Sequence, residues 1–229
     1  MKAVLLQSRK LAPDVRHFLF EVPGDEPLSF VPGQFVSLTA EISGRKITRA
    51  YSICSPPGGN RFELCLNRVH EGIFSPYLFD LKPGAEVYFR PPLGQFTLRQ
   101  PPRDAVFVAT GTGIAPFRSM LHHQLPRPGE LRLTLLFGVR FEQNILYRDE
   151  FEVFRARYPG FRFWPTLSRP SASWQGRIGH VQSHLEEALG GRRDIDVYIC
   201  GLKLMVDDVR ARLKEMGFQR DQMRYEKFD

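Results

Sequence analysis

Three groups of residues have the types and spacing to do chemistry. The apolar run Ala105–Thr110 leads into Gly111-Thr112-Gly113-Ile114-Ala115-Pro116. Two glycines allow a tight turn and let a phosphate approach the amides at a helix start. Pro116 suits the first helical position, where its missing N–H costs nothing. Proline stands where a Gly-x-Gly-x-x-Gly fingerprint has its third glycine, so the pattern alone reads either as a phosphate-facing turn or as a plain tight one. In Arg49-Ala50-Tyr51-Ser52, strand alternation puts Arg49 and Tyr51 on one face. A guanidinium pairs with phosphate and a phenol ring stacks on a planar ligand. Ser52 points the other way, yet its hydroxyl reaches a ligand edge if the strand ends there. The alternative is a solvent-facing arginine beside a half-buried tyrosine. Gly72-Ile73-Phe74-Ser75-Pro76-Tyr77-Leu78 reads either as an anion nest of backbone amides or as a short helix capped by Ser75.

The elements that must position these groups change character near residue 101. Before it, short alternating segments (Val15–Glu21, Phe35–Ala40, Arg49–Ile53, Phe62–Val69, Glu86–Arg90) are punctuated by Pro23-Gly24, Pro32-Gly33, Pro56-Pro57-Gly58-Gly59 and Pro83-Gly84. Many short strands at such spacing predict an antiparallel barrel or sandwich, with a short helix at Pro76–Leu81. After Gln100-Pro101-Pro102-Arg103, strands and helices alternate. Strands are expected at Ala105–Thr110, Leu131–Phe137, Phe161–Leu167, Asp196–Cys200 and Met223–Phe228. Helices are expected at Pro116–Gln124, Tyr147–Tyr158, His180–Leu189 and Met205–Met216. Apolar strands separated by helices imply a parallel sheet covered on both faces. The expectation is therefore a β domain over residues 1–100 and an α/β domain over 104–229.

Composition narrows the classes. The chain has 229 residues, 42% hydrophobic and 25% charged, which suits globular domains and excludes disorder. Its three cysteines form no Cys-x-x-Cys pair, which argues against a disulfide framework or a protein-held metal. No segment approaches the roughly 20 apolar residues of a membrane span, and the N-terminal apolar run is too short for a signal peptide. A cytoplasmic protein is expected. Lys+Arg 32 against Asp+Glu 25 gives a net charge of +7, which favours acidic partners.

Taken in order, six motifs resemble the ferredoxin–NADP reductase superfamily, particularly the flavin modules of bacterial oxygenase reductases and of flavodoxin and ferredoxin reductases. They are Arg49-Ala50-Tyr51-Ser52, Gly72 to Leu78, Pro92-Leu93-Gly94-Gln95-Phe96, Gly111 to Pro116, Tyr198-Ile199-Cys200-Gly201 and Tyr225-Glu226-Lys227-Phe228. The resemblance runs from Pro32-Gly33-Gln34-Phe35 to the C-terminus. It implies an N-terminal antiparallel Greek-key β barrel holding FAD, followed by a parallel-sheet α/β domain holding a nicotinamide dinucleotide. It further implies that Arg49 pairs with the FAD pyrophosphate and Tyr51 covers a flavin face, with Ala50 beside them. Ser52 would hydrogen-bond near flavin N5. Gly72, Ile73, Phe74 and Ser75 would line the pyrophosphate, with backbone and hydroxyl offered by Gly72 and Ser75. The Phe74 ring itself reads as core. Gly111, Thr112, Gly113, Ile114 and Pro116 would face the nicotinamide nucleotide, Thr112 most closely. Cys200 and Gly201 would sit beside the nicotinamide, and Glu226 matches a glutamate that in some relatives hydrogen-bonds near the flavin. Ser52, Cys200 and Glu226 are thus the implied catalytic residues. Read from its pattern alone, Cys200 is rather an inert strand-end core cysteine.

The family usually has Cys-Gly-Pro-Pro where this chain has Cys200-Gly201-Leu202-Lys203, which adds a positive charge to the nicotinamide loop. Cys54, Cys65 and Cys200 cannot supply a four-cysteine cluster, so any iron–sulfur centre is expected in another protein. Ser168-Arg169 after strand Phe161–Leu167 resembles the Ser-Arg pair of NADPH-using relatives, and Arg140 offers a second arginine. An arginine fits a 2′-phosphate, whereas an acid fits the free ribose diol. Either these arginines select NADPH or they are solvated loop charges, with NADH then possible. His180 and His184, four apart, read as a helix-surface pair rather than metal ligands. The expected activity is that of an FAD-dependent NAD(P)H oxidoreductase, passing single electrons to an acidic carrier such as ferredoxin, flavodoxin or an oxygenase component. A monomer is expected. The alternatives are the reductase component of an NADH-using oxygenase, or a flavin-binding subunit without turnover of its own. Nucleic-acid binding would rest only on the pI of 9.5, with no motif behind it.

Overall fold

The computed structural model describes residues 1–127 and 129–228, which form two compact units. The first is built on β1 (Lys2–Ala12), β2 (Val15–Glu21), β3 (Phe35–Ile42), β4 (Arg45–Ser52), β5 (Arg61–Asn67), helix α1 (Phe74–Asp80) and β6 (Glu86–Leu93). The strands lie in the order β4-β3-β6-β1-β2-β5, and every pair is antiparallel. Just past β4, Ile53 bridges Leu64 of β5, so the two edge strands meet and the sheet closes as a barrel. Inserting β6 between β3 and β1 gives the expected Greek-key connectivity.

Alternation explains the barrel's filling. Phe18 and Phe20 of β2 and Phe62, Leu64 and Leu66 of β5 point into a buried core with Phe89 and Phe74. The Phe20 and Phe62 rings lie 5.3 Å apart. Sequence reading missed β1 because its charged residues at Arg9 and Lys10 mask the inward Ala3 and Leu5.

The second unit contains β7 (Ala105–Thr110), a 3-10 turn at Gly111–Gly113, β8 (Leu133–Val139), α3 (Arg148–Arg157), β9 (Phe161–Leu167), β10 (Arg177–Ile178), α4 (Leu185–Leu189), β11 (Asp196–Leu202), α5 (Lys203–Glu215) and β12 (Met223–Phe228). In the chain, α2 (Ile114–Gln124) follows the 3-10 turn. Residues 115–124 of α2 pack with the barrel unit, so the packing units differ by that helix from a division at residues 100–104. The sheet is parallel, ordered β10-β9-β8-β7-β11-β12. From β7 the chain adds β8, β9 and β10 on one side, then returns to add β11 and β12 on the other. The order therefore reverses between β7 and β11.

Several local expectations are corrected. Helix α2 begins at Ile114, not Pro116. The proline still lies in the first turn, where no intrahelical acceptor awaits its N–H. The helix expected over His180–Leu189 is a 3-10 turn at Val181–His184 followed by α4. His180 and His184 therefore do not share a helix, and the His184 ring Nε2 lies 3.0 Å from the Ile178 carbonyl oxygen. Ser75 lies inside α1, whose N-cap is Ile73, so it is not the cap. Strand β10 was missed because two residues carry no periodicity.

Helix α2 is fixed to the barrel by a polar network. Arg118 Nη1 donates to the Cys54 carbonyl at 2.8 Å and to Glu63 Oε2 at 2.6 Å. Ser119 Oγ donates to the Ser55 carbonyl at 2.6 Å. Burial pushes the Glu63 carboxyl up, but the neighbouring His17 ring and the Arg118 guanidinium outweigh it and hold the pKa at about 2. Removing one partner of such a pair leaves a charge stranded, so Arg118→Met is expected to cost about 3 kcal/mol, read from the urea midpoint by circular dichroism. A depressed carboxyl stabilises the fold above its unfolded pKa and loses that contribution as pH falls through the folded one. Stability is expected to drop between pH 4.5 and about 2, and Glu63→Gln should flatten that part of the profile.

Candidate functional site

In the barrel unit, pairing of β4 with β3 sets Tyr51 opposite Val36 and Arg49 opposite Leu38. The Tyr51 ring stacks near Phe74 of α1, with centroids 6.2 Å apart and planes 27° apart. This contact brings two of the sequence motifs together. Burial pushes the Tyr51 hydroxyl up to about 12, with Arg49 opposing, so the phenol stays neutral. Arg49 is exposed and donates from Nη1 to the neighbouring Thr48 carbonyl at 2.9 Å. No carboxylate pairs with it among the described residues, which leaves its charge available to an anion. Ala50 is exposed, whereas Ser52 is buried.

The turn before α1 is held by Gly72 N–H on the Val69 carbonyl at 2.9 Å and by Val69 N–H on Ser75 Oγ at 2.9 Å. Ser75 thus spends one oxygen lone pair on the turn while its proton remains to be donated. Ile73 is exposed and Phe74 buried in the core, so the Phe74 ring serves packing.

In the sheet unit, the turn after β7 sits where strand order reverses, the usual ligand crevice of an open parallel sheet. Gly111 has φ +53 and Gly201 has φ +143, both suited to glycine. A Cβ on Gly113 would lie 2.3 Å from the Cys200 carbonyl oxygen, and one on Gly201 would lie 2.3 Å from Thr110 Oγ1. The Gly113 backbone therefore meets the Cys200 backbone, and the Gly201 backbone meets the Thr110 side chain, with no room for a side chain at either glycine. Thr110 Oγ1 is buried there without a hydrogen-bond partner. Such an orphaned hydroxyl beside a glycine cradle fits a polar ligand at this strand end. Sequence reading passed over Thr110 because it ends an apolar strand and belongs to no motif.

Cys200 is fully buried and lies beside Glu226 in the β11–β12 register. Burial, then the Glu226 charge, pushes its thiol well above the ordinary range, which keeps it protonated and unreactive. Lys203 does not leave an open charge in the loop, since its Nζ lies 2.9 Å from Asp207 Oδ2. The adjacent Leu202 and Leu204 are exposed.

Beyond β8 and β9 the ladder continues. Ser168 N–H donates to the Val139 carbonyl at 3.0 Å, and Arg169 N–H donates to the Arg140 carbonyl at 2.9 Å. Arg140 and Arg169 are thereby neighbours at adjacent strand ends. Both are exposed, and neither has an ion pair among the described residues.

His17, Cys54 and Glu63 place ligand atoms within 4.8 Å of one another, a cluster assembled from distant segments that no local motif signals. Arg118 Nη1 sits 2.6 Å from Glu63 Oε2, so a guanidinium already answers the carboxylate a cation would need. Among the described residues no helix is long and apolar enough to cross a membrane.

The profile of the oxidoreductase FAD-binding domain matches residues 2–98, and that of the oxidoreductase NAD-binding domain matches residues 107–211. Together they define an FAD-dependent oxidoreductase with a nicotinamide-dinucleotide domain. The chain is 41% identical to ferredoxin–NADP reductase B of Sorangium cellulosum, across 100% of this chain and 97% of that protein. It is 33% identical to the toluate 1,2-dioxygenase electron transfer component of Pseudomonas putida, over 88% of this chain but 59% of that protein's length. The cytochrome P450 reductase of Amycolatopsis superposes with a TM-score of 0.90 at 29% identity, over 100% of this chain and 70% of that one. The ferredoxin NADP+ reductase of Neisseria gonorrhoeae, solved with bound FAD and NADP, gives 0.86 at 24% identity over 99% and 98%. The chain belongs to the ferredoxin–NADP reductase family.

Two outcomes are expected. Gly113→Ala should abolish binding of the pyridine dinucleotide while the FAD absorbance of the purified protein persists. Cys200 should resist iodoacetamide at pH 8 in the native protein, with labelling seen by mass spectrometry only after denaturation.

Proposed function

We propose that the chain is an NADPH-dependent reductase that passes electrons singly to a small acidic carrier of the ferredoxin or flavodoxin type. One observation carries the coenzyme choice. Arg140 and Arg169 stand side by side at the ends of β8 and β9, joined by a backbone hydrogen bond and lacking acidic partners among the described residues. Two unpaired guanidiniums favour a dianionic 2′-phosphate over a neutral ribose hydroxyl. Ser168 lies between the ladder and this pair. The 41% identity to a ferredoxin–NADP reductase along nearly its whole length supports the same reading.

FAD would lie on residues 1–100, with Arg49 neutralising pyrophosphate and Gly72 to Ser75 offering backbone N–H groups and a hydroxyl. Tyr51 would pack a neutral ring against the flavin, and Ser52 would donate a hydrogen bond to its reactive edge. When bound, FAD supplies the conversion of two-electron transfer from a nicotinamide into single-electron steps. The dinucleotide would lie on residues 104–229. There Gly111, Thr112, Gly113 and Ile114 would receive its pyrophosphate, with Pro116 fixing the helix start. Thr110, Cys200 and Gly201 would enclose the nicotinamide, where Cys200 acts by shape and as a neutral thiol. Glu226, beside Cys200, would supply a carboxylate to the same region. Reaction requires the two rings within about 3–3.5 Å, so these residues act chiefly by orientation. As a cytoplasmic monomer, the enzyme would meet its carrier by diffusion, steered by the net charge of +7.

Likeness to the toluate dioxygenase electron transfer component supports a second reading, the NADH-using reductase of an oxygenase. Kinetics separate the two. Arg169→Ala is expected to raise KM for NADPH at least about tenfold while changing KM for NADH little, and Arg140→Ala should act in the same direction. Equal effects on both coenzymes would refute the phosphate assignment. Turnover with an acidic carrier should fall as salt rises, measured by stopped-flow reduction of the carrier.

A further inference from the structure

Helix α5 ends at Glu215, and the chain returns through Phe218 and a 3-10 turn at Arg220–Gln222 into β12. The corner between helix and strand holds a concavity of about 480 Å³, with Arg210, Lys214, Arg220, Phe218, Met223 and Tyr225 among its lining. That volume is within the range of small-molecule sites. Met223, in its wall, pairs with Val197 at the start of β11, whereas Lys227 pairs with Gly201 at the other end. The concavity therefore lies at the end of the sheet away from the dinucleotide turn.

Every charged side chain named in its lining is basic. Lys214 and Arg220 have no ion pair among the described residues. The Arg210 guanidinium lies over the Tyr225 ring, 3.7 Å from its centroid, and Arg210 Nε is buried without a hydrogen-bond partner. Its carboxylate contact, Asp207, is 3.6 Å away and is shared with Lys203 and Lys227. The dipole of α5 accounts for a cation in its last turn, such as Lys214. It does not account for Arg220, which lies beyond the helix end, or for an unused buried N–H on Arg210.

We propose that this corner is a second ligand site, for an anionic group carried on an aromatic body. The anion meets Lys214 and Arg220, and the ring lies against Tyr225, Met223 and Phe218. Ring stacking and charge pairing act together, so neither a bare anion nor a neutral arene satisfies the site alone.

The test uses the FAD-loaded protein with methionine methyl groups labelled with carbon-13, saturated with NADP+ to fill the dinucleotide site. Naphthalene-1-sulfonate is the probe, with inorganic sulfate and naphthalene as controls. A saturable shift of the Met223 methyl signal is expected, with the signal of Met120, buried in α2, unmoved. The apparent affinity should fall about fivefold in Lys214→Gln and again in Arg220→Gln. The proposal is overturned by the absence of a saturable shift, by unchanged affinity in both variants, or by sulfate or naphthalene binding as tightly as the probe. A shift seen in a parallel titration without NADP+ but absent from the saturated protein would assign the probe to the dinucleotide site and also overturn it.

Discussion

The sheet unit depends on one close approach of the backbone to itself. Where β7 ends, Gly113 lies against the Cys200 carbonyl and Gly201 against Thr110, with no volume left for a Cβ at either glycine. The approach arises because β11 is inserted directly beside β7 after the chain has built the other side of the sheet. Strand order reverses there, so flanking connections diverge and leave the strand ends open. The unpartnered Thr110 hydroxyl is the polar residue of that geometry. A polar group is costly to bury unsatisfied, which makes it a sign of a ligand surface rather than of packing.

The barrel unit answers to a different constraint, the burial of charge. Arg118 is 7% exposed, yet it is met by the Cys54 carbonyl and by Glu63, so its charge is compensated where it lies. Its opposite is the Arg140–Arg169 pair, where exposed guanidiniums have no compensating carboxylate among the described residues. A buried guanidinium with a half-buried carboxylate holds a helix in place, whereas the exposed pair has no ion pair among the described residues. The same residue type thus stands in two environments, and partner and burial tell them apart.

Much of this was legible in the sequence. Strands Val15–Glu21, Ala105–Thr110, Phe161–Leu167 and Met223–Phe228 coincide with β2, β7, β9 and β12, because uninterrupted apolar runs or clean alternation mark them. The turn at Gly111–Gly113 was legible from two glycines closing an apolar strand, whereas the contact of Tyr51 with Phe74 was not. What escaped reading was whatever depends on contact between distant segments. Glu63, His17 and Arg118 come from β5, β2 and α2, and no local pattern joins them. Thr110 looks like an ordinary strand residue until Gly201 is laid against it. Pro116 misled because a proline tolerated anywhere in the first turn was read as marking the first position. The His180–Leu189 segment has helical spacing, yet it starts as a 3-10 turn packed through Val181 against Gly138, where a Cβ would lie 2.7 Å from the Val181 side chain.

The central claim is that the ends of β8 and β9 select a 2′-phosphorylated dinucleotide through two unpaired arginines. Calorimetric titration of the intact protein with 2′,5′-ADP and with 5′-AMP tests it most directly, since both fragments lack the nicotinamide and differ only in that phosphate. Charge-assisted hydrogen bonds of this kind are worth about 1.5–3 kcal/mol, so the account predicts that 2′,5′-ADP binds more than about tenfold tighter. Equal affinities for the two fragments would contradict it.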